Sequence, residues 1–340
     1  MQKRIIDVLK YFLLLLLAAA LLYFAFRGMD IKKIVHDILQ ANIFWVAASG
    51  IISVIAFVVR AHRWNLLIEP MGYQPSLKNT TASLMVGYFA NLAVPRMGEV
   101  SRCGALSKAE NIPFNKLLGT VIVDRVIDVI SLLICMLLAA LLEFKRLGNF
   151  FNENIFNPLI NKFSKLAQSP LLLTLVIVIL LILILLAYYL IKKDKSKNAE
   201  SKISKLMKGF LDGLRSVGRL KRPWLFIVES VLIWALYLAG VYVALNAFPF
   251  TKELGASASL FLLVAAGIAM SAPVQGGIGA YHLLVSQGLI LYGLTEENGL
   301  VFAGMLHSLQ LILVIIIGSI SLIVLFASQK KQKVVNENQN

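Results

Sequence analysis

Three ionisable residues within five positions, Asp124, Arg125 and Asp128, interrupt the otherwise apolar stretch 114–143. On a helix Asp124 and Asp128 share one face, and Arg125 reaches Asp128. A second charged group, Arg96, Glu99 and Arg102, lies in or just after the break Pro95-Arg96-Met97-Gly98-Glu99. Glu99 and Arg102 are three apart and can face one another. Two chemistries suit these groups. They can pair into a structural network in which Arg125 joins Asp128 and Glu99. Alternatively, Arg96, Arg102 or Arg125 can hold a phosphate, because the guanidinium fork matches its oxygens, with a carboxylate or histidine assisting release. A third feature carries no charge. It is the break Pro273-Val274-Gln275-Gly276-Gly277-Ile278-Gly279, followed by His282 and, in a later apolar run, His307.

The elements that position these residues must lie in a membrane. Of the 340 residues, 59% are hydrophobic and only 15% charged, against about 25% charged in a typical soluble domain. Mean hydropathy is +0.79. Apolar runs at 8–27, 43–60, 114–143, 170–191, 223–247 and 297–327 approach or reach the roughly 20 residues that cross the hydrocarbon layer. The run at 8–27 is longer than the apolar core of a signal peptide, so it reads as a retained first span. The net charge of +15 sits in loops between apolar runs. That placement fits attraction to anionic lipid and excludes a nucleic-acid-binding domain. Cys103 and Cys135 lack metal-ligand spacing and read as small apolar residues.

Charge placement sets the topology. Loop 192–222 holds eleven basic and three acidic residues, which places it in the cytoplasm. Lys3, Arg4 and Lys10 place the N-terminus there, and Lys330, Lys331 and Lys333 the C-terminus. An N-in chain needs an even number of crossings before residue 192. Plain hydropathy gives about eight spans in all, five of them before that loop. Reading 79–109 and 256–293 as re-entrant helical hairpins restores parity. The expected fold is all-α: six full spans plus two hairpins in an inverted-topology repeat. The inverted units are 43–143 and 223–327, within one transmembrane domain 1–327, followed by a polar cytoplasmic tail 328–340. Pro95-x-x-Gly98 and Pro273-x-x-Gly276, 178 residues apart, echo one another at the two breaks.

Backbone breaks inside hydrocarbon survive only where protein or a water-filled cavity covers them. Two breaks entering from opposite sides therefore predict a shared site near the midplane, with half-helix N-termini offering N–H groups to an anion. Gly276, Gly277 and Gly279 would let a head group approach the backbone, or would only allow tight helix packing. His282 and His307 are helix–helix hydrogen-bond partners or proton carriers. Arg60 and Arg63-Trp64 read as interfacial anchors at the end of the span 43–60. Loop 192–222 reads as an amphipathic helix on anionic lipid or as a topology signal alone. There is no phosphate loop, zinc motif or nucleophile elbow, so no catalytic residue, metal ligand or cofactor is assigned.

The ordered set Asn91, Pro95-Arg96, Gly98-Glu99, Arg102, Arg125-x-x-Asp128, Pro273 and Gly276-Gly277-Ile278-Gly279 resembles the signature of the lysylphosphatidylglycerol synthase transmembrane-region family, also called flippase-like domain proteins. The resemblance covers most of the chain. It implies that Arg96, Glu99, Arg102, Arg125, Asp128 and the Gly276–Gly279 turn are shared functional positions. This chain differs in having Asp124 where a Glu is usual, Gln275 where a Pro is common, and His282 where a Glu commonly follows the turn. The family includes the membrane domain of bacterial multiple peptide resistance factors, which moves aminoacylated phosphatidylglycerol between leaflets. No cytosolic aminoacyl-transfer domain is present, so synthase activity is not expected.

The expectation is a multi-pass protein of the bacterial inner membrane that moves a phospholipid or lipid-linked phosphate head group. Its substrate-binding set is Arg96, Glu99, Arg102, Asp124, Arg125, Asp128, Gln275, Gly276, Gly277, Gly279, His282 and His307. Expected partners are the lipid itself and either a homo-oligomer or an enzyme, and one alternative function is a non-catalytic membrane partner of a lipid- or glycan-modifying enzyme. Another is a membrane-embedded enzyme acting on polyprenyl phosphate.

Overall fold

The computed structural model describes Tyr23 and residues 31–146 and 220–337, with backbone only beyond 325. The expected span 8–27 except Tyr23, the span 170–191, and loop 192–222 except its last three residues lie outside the described residues. Every regular element among those described is helical.

A short helix α1 (Ile31–Leu39) precedes α2 (Ile43–Ile68). Asn42 caps α2 by accepting from the N–H of Phe44 at 3.0 Å. Then come α3 (Leu77–Ala93), α4 (Gly98–Glu110) and α5 (Phe114–Leu142). After the gap, α6 (Pro223–Leu245) starts with Pro at its first position, where no N–H is needed. It is followed by α7 (Ala256–Ser271), α8 (Ala280–Ile290) and α9 (Glu296–Glu337). Among the described residues, four helical stretches are long and apolar enough to cross a membrane: Ile43–Met71, Phe114–Leu142, Pro223–Leu245 and Glu296–Leu325.

The order long, short, short, long therefore occurs twice. Both sequence-predicted breaks fall between the short helices: α3 ends at Ala93 and α4 starts at Gly98, while α7 ends at Ser271 and α8 starts at Ala280. In each case the two short halves pack on one another as a hairpin. The packing partners repeat as well. Helix α2 packs along α6, α3 packs on α9, and α7 packs on α5. Each hairpin thus leans on the last long helix of the other unit.

Small residues make these approaches close. A Cβ on Gly87 would lie 2.7 Å from the Gly98 carbonyl oxygen, so the first hairpin closes only with glycine there. Ser49 of α2 donates to the Gly240 carbonyl of α6 at 2.9 Å.

Two expectations change. Helix α2 does not end at residue 60 but runs on to Ile68. Arg60 and Arg63 continue the helix because they are good helix formers, and neighbouring helices satisfy their charge. Helix α9 also outruns its apolar stretch. It continues to Glu337 through the segment expected to be a tail, with no Gly or Pro to stop it.

Candidate functional site

Arg60, Arg63 and Trp64, expected at the interface, are buried, with Arg63 and Trp64 wholly inaccessible. Arg60 lies eight residues before the end of α2, and Asp124 lies ten residues into α5. At 1.5 Å per residue these are depths of roughly 12 and 15 Å, so the two face each other at one level. Arg63 reaches Asp124 at 2.6 Å and Asp128 at 2.6 Å. Arg60 binds Asp128, lies 3.8 Å from Asp124, and donates to the Tyr237 hydroxyl of α6 at 3.0 Å. From α4, Arg102 donates to Asp124 at 3.1 and 3.2 Å.

Arg125 points the other way, toward the first hairpin. It pairs with Glu99 at 2.8 Å and lies 3.8 Å from Asp128. The contact of Arg125 with Asp128 is one that the sequence spacing offered, and its pairing with Glu99 is the one named in the structural-network reading. The facing of Glu99 and Arg102 is not seen. Each turns to α5 instead, Glu99 to Arg125 and Arg102 to Asp124.

The cluster has a sealed end and an open end. Asp124 is wholly inaccessible, and Trp64, Leu106, Leu117 and Val121 form part of an apolar collar beside it. Trp64 donates to Thr120 at 2.8 Å, and the Arg102 guanidinium lies 4.8 Å over its ring. At the other end the Arg125 side chain is 40% exposed and that of Glu99 29%. One Glu99 carboxylate oxygen has no protein donor. Four guanidiniums (Arg60, Arg63, Arg102, Arg125) meet three carboxylates (Glu99, Asp124, Asp128), leaving one surplus positive charge.

Arg96 stands apart in the break itself. It is exposed, makes no ion pair among the described residues, and has φ of 64°. A left-handed backbone is unusual for a residue with a Cβ and costs of order 1–3 kcal/mol. The N–H of Gly98 at the start of α4 is not free for an anion, because Asn91 accepts from it at 2.6 Å.

The second break is held without charge. Gly276, Gly277 and Gly279 take φ of 57°, 76° and 83°, so glycine is used for its backbone freedom. A Cβ on Gly276 would lie 3.0 Å from Leu92 of α3. The tip of the second hairpin thus packs on the first hairpin near its own break. Buried His307 of α9 donates through Nε2 to the Gly276 carbonyl at 2.9 Å, which fixes its tautomer. Tyr281 stacks on His307 at 4.7 Å, and His282 meets it edge-on at 5.0 Å. Gln275 Oε1 and His307 Nδ1 are buried acceptors with no protein donor.

Three participants escaped the sequence reading. Arg60 and Arg63, three apart, complement Asp124 and Asp128, four apart, and that match of spacing was a readable signal. Glu229 is a lone carboxylate inside the apolar run 223–247, a pattern that marks a partner nearby. It meets His62 at 2.5 Å across the α2–α6 packing.

The family model described as the lysylphosphatidylglycerol synthase TM region matches residues 11–318. A UPF0104 membrane protein of Methanocaldococcus jannaschii is 34% identical over 31% of this chain and 31% of its own. One from Pyrococcus horikoshii is 26% identical over 39% of this chain and 41% of its own. The glycosyltransferase AglD of Haloferax volcanii is 25% identical over 38% of this chain and 20% of its own. The matches thus span well under half the length of these relatives, and no solved structure matches. The matched range takes in both breaks and the charged cluster: this chain is a multi-pass helical membrane protein and belongs to the lysylphosphatidylglycerol synthase TM region family.

Proposed function

We propose that the chain moves a lipid with a phosphate-bearing head group from one leaflet of the plasma membrane to the other, with both termini in the cytoplasm. The two units act as an inverted pair, and the hairpin tips form the passage. The observation that carries this reading is the open end of the charged cluster. There the half-exposed Arg125, held by Glu99, and the exposed Arg96, which makes no ion pair among the described residues, flank a membrane-level break. Charge at this depth costs at least about 2.5–3.5 kcal/mol per residue on insertion scales, and an anionic head group would offset part of that cost. A phosphate would sit between Arg96 and Arg125, with Glu99 competing for Arg125 and so permitting release. The acceptors Gln275 Oε1 and His307 Nδ1 suit hydroxyl or amino donors on the same head group. The sealed end, around Asp124, holds α2, α4 and α5 together and does not touch lipid. No chemical step is required of any residue in this scheme.

The test is movement of labelled phosphatidylglycerol between leaflets of proteoliposomes. Glu99→Ala and Arg125→Ala should each reduce movement to the protein-free rate while the variant still elutes as folded protein. Wild-type rates in both variants would remove the site.

A second reading rests on the partial likeness to glycosyltransferase AglD. On that reading the chain is the membrane partner of an enzyme that modifies a lipid-linked glycan. It predicts no lipid movement by the purified chain and copurification with a separate enzyme.

A further inference from the structure

Between α3, α4 and α9 lies a groove of about 290 Å3, on a different face of α4 from Glu99 and Arg102. Its walls are Val86 of α3, Gly104 and Ala105 of α4, and Leu322 and Leu325 of α9, with Ser101 at one end and Lys108 at the other. Lys108 is the only charged residue in this lining. It is exposed and makes no ion pair among the described residues.

The ends of the groove lie at different depths. Ala109, next to Lys108, packs with Leu325, two residues before the end of the apolar run 297–327. Lys108 therefore sits where hydrocarbon gives way to head groups. Ser101 is seven residues nearer the break, roughly 10 Å deeper along the helix. The lining is thus apolar below and cationic above, at the size of the smallest ligand pockets, about 300 Å3.

We propose that this groove binds one acyl chain of an anionic phospholipid, with the lipid's phosphodiester resting at Lys108. This site goes beyond the passage between the hairpins. It is a lateral seat on the membrane-facing surface, and its occupant steadies α4 against α9. The occupant is a whole anionic lipid, because only an amphiphile meets both the apolar walls and the cation. Lysine near a membrane surface favours an anionic over a zwitterionic lipid by about fivefold.

The structure supplies a clean probe. A Cβ added at Gly104 meets nothing within 4 Å, so a larger residue there fills the groove without disturbing the backbone. The full chain, delipidated in detergent, is titrated with dioleoyl phosphatidylglycerol or dioleoyl phosphatidylcholine and observed by native mass spectrometry. Gly104→Trp should lose one bound phosphatidylglycerol. Lys108→Gln should weaken that lipid about fivefold and leave phosphatidylcholine binding unchanged. Arg125→Ala should keep the groove lipid and lose any lipid held between the hairpins, so the two readings fail on different variants. The groove proposal is overturned if Gly104→Trp retains the wild-type number of lipids. It is also overturned if glycerol 3-phosphate alone competes as well as the whole lipid, or if Gly104→Trp instead abolishes a dimer of the chain.

Discussion

The two hairpins solve one problem with different chemistry. Residues 77–110 carry six charges, namely Lys78, Arg96, Glu99, Arg102, Lys108 and Glu110, whereas residues 256–290 carry none. Both hairpins break at a Pro-x-x-Gly, and both place a left-handed residue in the break, Arg96 in the first and Gly276 in the second. The first hairpin is tied to its neighbours by ion pairs to α5. The second is tied by one histidine–carbonyl hydrogen bond, glycine turns and aromatic stacking. A repeated backbone does not imply a repeated site. Charge is concentrated where α2, α4 and α5 can share its burial cost, and the opposing tip is left neutral.

The comparison predicts that the first hairpin fails by losing charge balance and the second by losing shape. The largest effect is expected for Asp124→Asn, which leaves Arg63 and Arg102 buried without their shared carboxylate. Breaking such a group costs about 3–5 kcal/mol, so folded protein should be nearly absent by size-exclusion fluorescence. A melting temperature close to wild type would end the distinction. Gly276→Val comes next, at about 2–3 kcal/mol. A branched side chain is strained at positive φ, and its Cβ meets Leu92. Thermal unfolding in detergent would show it, and a wild-type curve would mean that shape does not hold the second tip.

His307→Leu should cost about 1–2 kcal/mol, since the buried Gly276 carbonyl loses its donor. His307→Gln, which can still donate, should recover most of the loss in the same melt. Arg96→Gly sharpens the contrast from the other side. Relief of backbone strain and the extra unfolded-state freedom of glycine roughly cancel, leaving stability within about 0.5 kcal/mol of wild type. Lipid movement in proteoliposomes should nevertheless fall to the protein-free rate. A melt shifted as far as that of His307→Leu, or unchanged lipid movement, would remove Arg96 from the functional end.

Both breaks were legible to within a residue or two, because Pro and Gly terminate helices by local sterics that need no partner. The contact of Arg125 with Asp128 was legible from helix periodicity. Arg60 and Arg63 were misread. A basic pair followed by Trp at the end of an apolar run is also what an interfacial anchor looks like. Only the α5 carboxylates at the same depth convert it into a buried pair. The facing of Glu99 and Arg102 was misread for a related reason, since local spacing permits a contact but a stronger partner elsewhere takes it.

By itself, then, the sequence determined that this is a multi-pass helical membrane protein of its family with two broken hairpins, because hydrophobic run length and helix breaking are local properties. The tertiary structure alone decided which charges are sealed and which are open, and that the second tip rests on Leu92 and His307. Those depend on which helices meet at one depth, and the energy of a buried charge is set by its neighbours in space rather than in sequence.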